Sequence, residues 1–577
     1  MSGSKRPGAA LSGSSKRVAA EDKATCTIAI DFGTAGTGYA YSFTGSDVIE
    51  AKEPGGQEAR KTLTNLLLDA NSGAFKSFGY AARREYFEMD TGEGAFFQNF
   101  KMELSNIDGS GFYQVKALDG STWKLMDVVV KTLTYVKNEA LKEAGRALPY
   151  GLDAKEVQWV VTVPAIWADV AKGFMRSAAY KAGLIQVEDS KRLLLALEPE
   201  SAAIAADVHK VTKPGDTFMV LDTGGGTVDI TMNRLVSSSP LKFDEIAAPS
   251  GGPWGSTYVD KQFELFVEAF VGAHNFQKLK GTPFWIEQLE NWEAVKVSMD
   301  GGDDQRSINM GSILEVIDAM KLNDLVDAYN RSYGTTLKMR GKSTVVFPAS
   351  VLKGFFTPVV DNIKRHVAGL LARNQVKTIF LVGGFAESAL LQSAIKERFT
   401  FTKVVVPVRP GLAVLRGAVS FGKNQDVFAS RVARFSYGLR LSNEYDRSNP
   451  VHAGRPLHSR MHHGKQTKYV DDIFSEMVRV GTQLPAGHTA VMRGVHGTVD
   501  GQLSVCMNIF ATPLGTVKFT TDPSCSAIGK FEIPCSVNAR EASDMILEFG
   551  STEITASAVN TTTGEKRAIK LQYNFNN

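Results

Sequence analysis

The residues that could carry chemistry cluster in two short stretches built to one plan. In "CTIAIDFGTAGTGYAYSF" (26–43) and "VLDTGGGTVDITMNRL" (220–235), an apolar strand ends in Asp31 or Asp222, a glycine- and threonine-rich turn follows, and a second strand leaves it. One such turn is ordinary, because Asp bonds its own backbone and Gly supplies positive φ. Two copies in one chain point to a pair of hairpin turns facing each other across a cleft. Bare backbone at Gly33, Gly224, Gly225 and Gly226 lets phosphate oxygens reach several N–H groups. Thr34 and Thr227 add hydroxyl donors, and Ala35 completes the first turn. Asp31 and Asp222 could hold a hydrated Mg²⁺, which takes only one or two carboxylates and keeps several waters. Two other phosphate loops are absent. "GTTLKMRGKST" (334–344) places six residues between its glycines, and "GTAGTG" leads into a strand where a dinucleotide fingerprint would open a helix.

Three further groups could serve the same cleft. Glu198 follows the apolar run "RLLLAL", where a carboxylate can order a metal's waters or an attacking water, although an acid opening a helix beside Pro199 reads the same way. Lys101 follows the aromatics of "FFQNFKMELS", a setting in which lysine ordinarily buries its stem and exposes its head. Glu293, Lys296 and Asp300 in "IEQLENWEAVKVSMD" fall on one face of an expected helix. The histidines of "VHAGRPLHSRMHHG" (His452, His458, His462, His463) lack a second ligand cluster and read as a solvated loop.

The elements that must position these groups alternate. "VQWVVTVPA" is a β-branched strand stopping at Pro164, "DVAKGFMRSAAYKAGL" a helix ended by Gly183, and "KTIFLVGGF" a strand meeting two glycines before the helix "ESALLQSAIKERF". That alternation signals an α/β core. After Phe421 the texture becomes many short strand-like runs, from "FSYGLRL" to "RAIKLQYNF", which argues for a β-sandwich. At 577 residues, 43% hydrophobic and 22% charged, the chain is a multidomain globular protein. The first 24 residues supply three of its four net positive charges, so the body shows no basic stripe for nucleic acid. That tail has no apolar block and reads as disordered; its two Lys-Arg pairs also fit a nuclear address. No apolar run approaches the roughly 20 residues of a membrane span. Four cysteines without a CxxC suit a reducing compartment, and the location expected is cytoplasmic, with nuclear entry left open.

Taken in order, "IDFGTAGTG", "TVPAIWADVAK", "LEPESAAIAA", "LDTGGGTVDIT" and "IFLVGGFAESALLQ" resemble the motifs of the heat-shock protein seventy (DnaK-like) family of actin-like ATPases. "IGKFEIP" and "ITASAVNTTTGEKRAIKL" resemble its peptide-binding β-sandwich, and "GGPWGSTYVD", "KTLTNLLLD" and "FQNFKMEL" look most like its divergent lid-less branch. The resemblance implies an α/β actin-like ATPase of two ribonuclease-H-like lobes (25–425), a linker (426–434) and an all-β sandwich without a helical lid (435–577), behind the tail 1–24. By position it gives Asp31, Glu198, Asp222 and Asp229 the Mg²⁺ and water-ordering roles, and Lys101 and Thr227 contacts to the phosphates. Glu293, Lys296 and Asp300 would face adenosine, with Gly383, Gly384, Phe385 and Glu387 on the opposite wall. Pro164 and Lys172 would relay nucleotide state, and Phe474 and Leu503 would line a peptide groove.

The departures from the family pattern are specific. Ala35 removes a hydroxyl, Val297 and Glu387 replace two arginines, Gly411 replaces an acid, and "GKNQDVFASRVARFSYG" holds nothing like the family's leucine-rich linker. The function implied is a slowly hydrolysing ATP/ADP- and Mg²⁺-dependent chaperone acting on unfolded or apolar peptide segments or a client protein, with co-chaperones. A nucleotide-binding scaffold and a sugar-kinase-like transferase are the alternatives. The C-terminal strands argue against the transferase, and no separate acid is poised as a base for a sugar hydroxyl.

Overall fold

The computed structural model describes residues 24–55, 60–89, 92–107, 111–317, 321–462, 464–499, 502, 504–534, 542–549 and 552–569. The tail expected to be disordered, and Leu503, lie outside the described residues apart from residue 24.

Strand β1 (Cys26–Phe32) is buried at every position because both faces of its sheet are covered. It runs antiparallel to β2 (Gly36–Phe43), with Asp31 opposite Gly38. On its other side it runs parallel to β3 (Val157–Val163), which is parallel in turn to β4 (Leu193–Leu197). The second lobe repeats this wiring. Strand β5 (Thr217–Thr223) is antiparallel to β6 (Val228–Ser238), with Asp222 opposite Asp229, and β6 is antiparallel to β7 (Leu241–Gly252). On the other side β5 is parallel to β8 (Thr378–Val382), and β8 to β9 (Lys403–Val405). The repeated sequence plan is therefore a repeated topology, and it sets an aspartate at the carboxyl end of each central strand, where open α/β sheets bind ligands.

The second sheet is extended from downstream. Strand β10 (Phe428–Val432), inside the stretch expected as a linker, pairs parallel with β7, and Gln483–Pro485 pairs with β10, giving seven strands. Helix α1 (Tyr80–Glu88) rises over the first lobe. Helices α2 (Glu198–Ala205) and α4 (Ala413–Lys423) pack together between the two sheets, and α3 (Pro283–Ser298) belongs to the second lobe. The α2–α4 crossing is tight: an added Cβ at Gly417 would sit 1.6 Å from the Ser201 carbonyl oxygen.

Two antiparallel sheets follow. One has the order His458–His462, Lys465–Val478, Ser436–Glu444, Ser504–Thr512, Ser526–Pro534; the other has His488–Val495, Ser543–Phe549, Ile554–Asn560, Lys566–Ile569. Leu439, Ile509 and Phe531 from the first and Met545, Leu547 and Ala558 from the second join one core cluster that is continuous with the first lobe. Phe474, expected to line a groove, is instead 5% exposed. It packs over Gly438, where an added Cβ would lie 2.9 Å from its ring. Its backbone N–H donates to Lys518 O (2.8 Å), and Thr520 N–H donates to Asp472 O (2.7 Å), so the strand edge beside it is occupied by the chain's own segment. His452 is likewise buried, accepting at Nδ1 from Asp446 N–H, and is not part of a solvated loop. No helix among the described residues is long and apolar enough to cross a membrane.

The downstream sheets are tied to the lobes by polar contacts. Arg431 makes a bidentate pair with Glu200 (2.7 and 2.8 Å), Val432 N–H donates to Glu245 (2.8 Å), and Arg434 donates to the carbonyls of Ala165 and Trp167 (both 3.2 Å). Tyr437 donates to Asp169 (3.0 Å), whose other oxygen receives Lys172 (3.0 Å), and Arg176 grips Glu553 (2.7 and 2.6 Å).

Candidate functional site

The two turns meet at the bottom of a cleft of about 720 Å³, lined by Asp31, Thr34, Lys101, Glu198, Asp222 and Thr227 among others. That volume suits a small-molecule ligand. The turns are in contact: an added Cβ at Gly225 would lie 2.6 Å from Ala35 Cβ, and one at Gly226 would lie 2.5 Å from Thr34 Oγ1. The second turn is held by a return loop, with Thr257 N–H and Oγ1 both donating to Gly225 O (2.9 Å each). Gly383 has φ of 91°, and a Cβ there would strike Asp222 Oδ1 at 2.4 Å, so this wall requires glycine.

Four carboxylates gather at the floor. Lys101, 3% exposed, pairs with Glu198 Oε1 at 2.6 Å and lies 5.9 Å from the Phe32 ring centre and 5.4 Å from that of Trp167. This lysine is not snorkelling; Asn99, with φ of 55°, starts the short helix that turns it inward. Burial pushes the Glu198 carboxyl up to about 7, with Lys101 opposing and Asp31 and Asp229 adding to the rise. Asp222 is raised well above the ordinary carboxylate range by burial and by the charges of Glu198 and Asp229. Asp229 is raised by burial, while the N–H of Ile166 (3.0 Å to its Oδ1) and the Thr227 hydroxyl oppose. Asp229 belongs to this cluster but lies behind the cleft wall, 1% exposed. Asp31 accepts from Thr162 at Oδ1 (3.0 Å), and its Oδ2 forms an ion pair with Lys61 Nζ at 2.6 Å.

The opposite end of the cleft presents Glu293, Lys296, Val297, Gly383, Gly384, Phe385 and Glu387, together with Gly33, Ala35 and Gly224 to Gly226 toward the turns. Lys296 and the Trp292 indole both donate to Asp260 Oδ1 (2.6 and 2.8 Å), and Glu293 receives Arg83 from α1 across the cleft (3.2 Å). Asp300 is not part of this wall. Helix α3 ends at Ser298, so the expected helical face stops short, and Asp300 instead accepts from Gly302 N–H (2.9 Å) toward solvent. Glu387 and Gly411 are neighbours: a Cβ at 411 would lie 2.8 Å from Glu387 Oε1, so Glu387 brings a carboxylate beside Gly411. Sequence reading missed Lys61, Arg83, Asp260 and Trp292. Lys61 stands in "ARKTLT" with no apolar pattern to place it, and Arg83, Asp260 and Trp292 lie on helices with no motif beside them.

The cavity and glycine turns fit a nucleoside phosphate. As they stand, the two aspartates do not fit a protein-held divalent cation, since Thr162 donates to one Asp31 oxygen and the Lys61 ammonium stands 2.6 Å from the other.

The chain matches no protein-family model. It is 30% identical over 632 residues to heat shock 70 kDa protein 12A of Mus musculus, covering 95% of this chain and 91% of that protein. To heat shock 70 kDa protein 12B of Homo sapiens it is 29% identical, covering 95% and 90%. To the chaperone protein DnaK of Metamycoplasma hominis it is 22% identical over 58% of this chain and 51% of that protein. Two lobes of like wiring that close on one cleft with paired glycine turns make this an actin-like ATPase fold. The chain belongs to the heat shock 70 kDa protein family, alongside its divergent 12A and 12B members.

Proposed function

We propose that the chain binds ATP and ADP in the cleft and hydrolyses ATP slowly. In this reading residues 435–577 act as a β-sandwich that holds extended apolar segments of a client protein in the cytoplasm. The observation that carries it is the pair of glycine turns abutting over the Lys101–Glu198 ion pair, in a cleft whose far wall is built from α3 and the Gly383–Glu387 segment. Thr34, Thr227 and the turn N–H groups hold the phosphates, Lys296 and Glu293 face the nucleoside, and Glu198 with Lys101 positions the attacking water. Phosphoryl transfer needs little beyond such positioning and electrostatics.

A nucleotide-binding scaffold is the second reading. It is favoured by Ala35, which offers no hydroxyl to the phosphates, and by Val297, which lines the nucleoside wall 74% exposed with no group to stack. A single-turnover assay with γ-labelled ATP separates the two. Phosphate release without an acceptor supports hydrolysis, tight binding without release supports the scaffold, and absence of binding overturns both.

A further inference from the structure

Lys61 enters the cleft from the loop before Thr62 and ends among the carboxylates. Its Nζ lies 2.6 Å from Asp31 Oδ2, and about a fifth of the side chain remains exposed, toward the cavity. Its stem follows a track cleared by two glycines of the first turn and strand. An added Cβ at Gly36 would meet Lys61 Cβ at 3.4 Å, and one at Gly38 would meet Lys61 Cγ at 3.1 Å. Part of the glycine pattern that suggested phosphate contact therefore accommodates a lysine.

We propose that Lys61 is the cleft's resident cation. Its ammonium occupies the place beside Asp31 where a protein-held divalent ion would sit, and it offers its remaining hydrogens to phosphate oxygens, so that nucleotide binds without a divalent metal. The proposal rests on the nucleotide reading above. An ammonium has three donors, more than the one Asp31 oxygen beside it can take, so it can also serve a ligand in the cleft that Lys61 lines. A hydrated Mg²⁺ held by Asp31 and Asp222 would have to displace this charge or sit against it. Lys101 does not substitute for Lys61, because its side chain is 4% exposed against 21% for Lys61.

The test measures binding of a fluorescent ADP to the full chain, by anisotropy, in excess magnesium and in excess EDTA. The wild-type dissociation constant should change by less than about threefold between the two conditions, whereas Lys61→Met should weaken binding at least about tenfold in EDTA and recover most of it in magnesium. Lys61→Arg, which keeps the charge, should retain metal-independent binding; its melting curve and that of Lys61→Met confirm folding. Wild-type binding that collapses in EDTA overturns the proposal without any variant. So does Lys61→Met binding in EDTA as well as wild type. Wild type that binds in neither condition removes the nucleotide reading itself.

Discussion

Lys101 is buried with Glu198 as its hydrogen-bonded carboxylate, and that arrangement has an energetic signature. Removing one member of a buried pair leaves an uncompensated charge, at a cost of about 3–5 kcal/mol, whereas replacing both members can be nearly neutral. Glu198→Gln, which strands the buried ammonium, should therefore destabilise the chain by about that amount, and Lys101→Met/Glu198→Gln should recover most of it in denaturant unfolding. Non-recovery would show that the pair is not the lysine's main partner. If the chain hydrolyses ATP, either single change should also slow turnover by about 10²–10³. At this scale the sequence was informative about residue type and blind to partnership. Lys101 and Glu198 were both singled out, but nothing along the chain said that they touch. Glu387 and Gly411 read as two unrelated departures, because proximity across 24 positions of chain has no local signal.

The abutting turns put a steric demand on glycine. A Cβ at Gly225 would come within 2.6 Å of Ala35 Cβ and 2.9 Å of the Ala35 backbone nitrogen, and backbone cannot rotate away as a side-chain tip can. Gly225→Ala should push the turns apart and weaken ADP binding by at least about tenfold, or 1.4 kcal/mol. Circular dichroism should be unchanged, because the strands that carry the turns are untouched. Unaltered affinity would mean that the turns do not form the phosphate site. Elements of strong pattern were legible: β1, β3, β5 and β8 are mainly apolar, and Asp-x-Gly after β1 and β5, Pro164 after β3 and two glycines after β8 marked their ends. The end of α3 was not, because "KVSMDGG" carries a helical spacing past Ser298 until the glycines interrupt it, which left Asp300 assigned to a face it does not share. Phe474 failed differently. Its strand was recognised, but the segment 518–520 that covers the strand edge lies far downstream, and an incoming peptide would have to displace it.

Across the whole molecule, the stretch expected as a free linker is strand β10, and the charges around it are buried. The Glu245 carboxyl, which accepts from Val432 N–H, is pushed up to about 8 from an ordinary 4.5 by burial and then by the neighbouring charge of Glu200, against that N–H and Arg431. The native state thus keeps a proton that the unfolded chain releases near pH 4.5. This contribution to stability is complete below that pH and is lost as the pH rises through about 8. Thermal melts across that window should fall with rising pH, and Glu245→Gln should flatten the slope; an identical slope in the variant would count against the assignment. The linker's role was illegible because a five-residue strand at a sheet edge has no pattern of its own, and its partners lie some two hundred residues upstream and some fifty downstream. That same sheet imposes an order in time. A chain emerging from the ribosome can assemble the first lobe from residues already made, but the second lobe's sheet gains its last strand only once residues 483–485 appear. Until then the outer edge of β10, whose residues Ser430 to Val432 later pair with Gln483 to Pro485, has no partner, so the half-made protein exposes an unpaired strand edge of the kind that leads to aggregation.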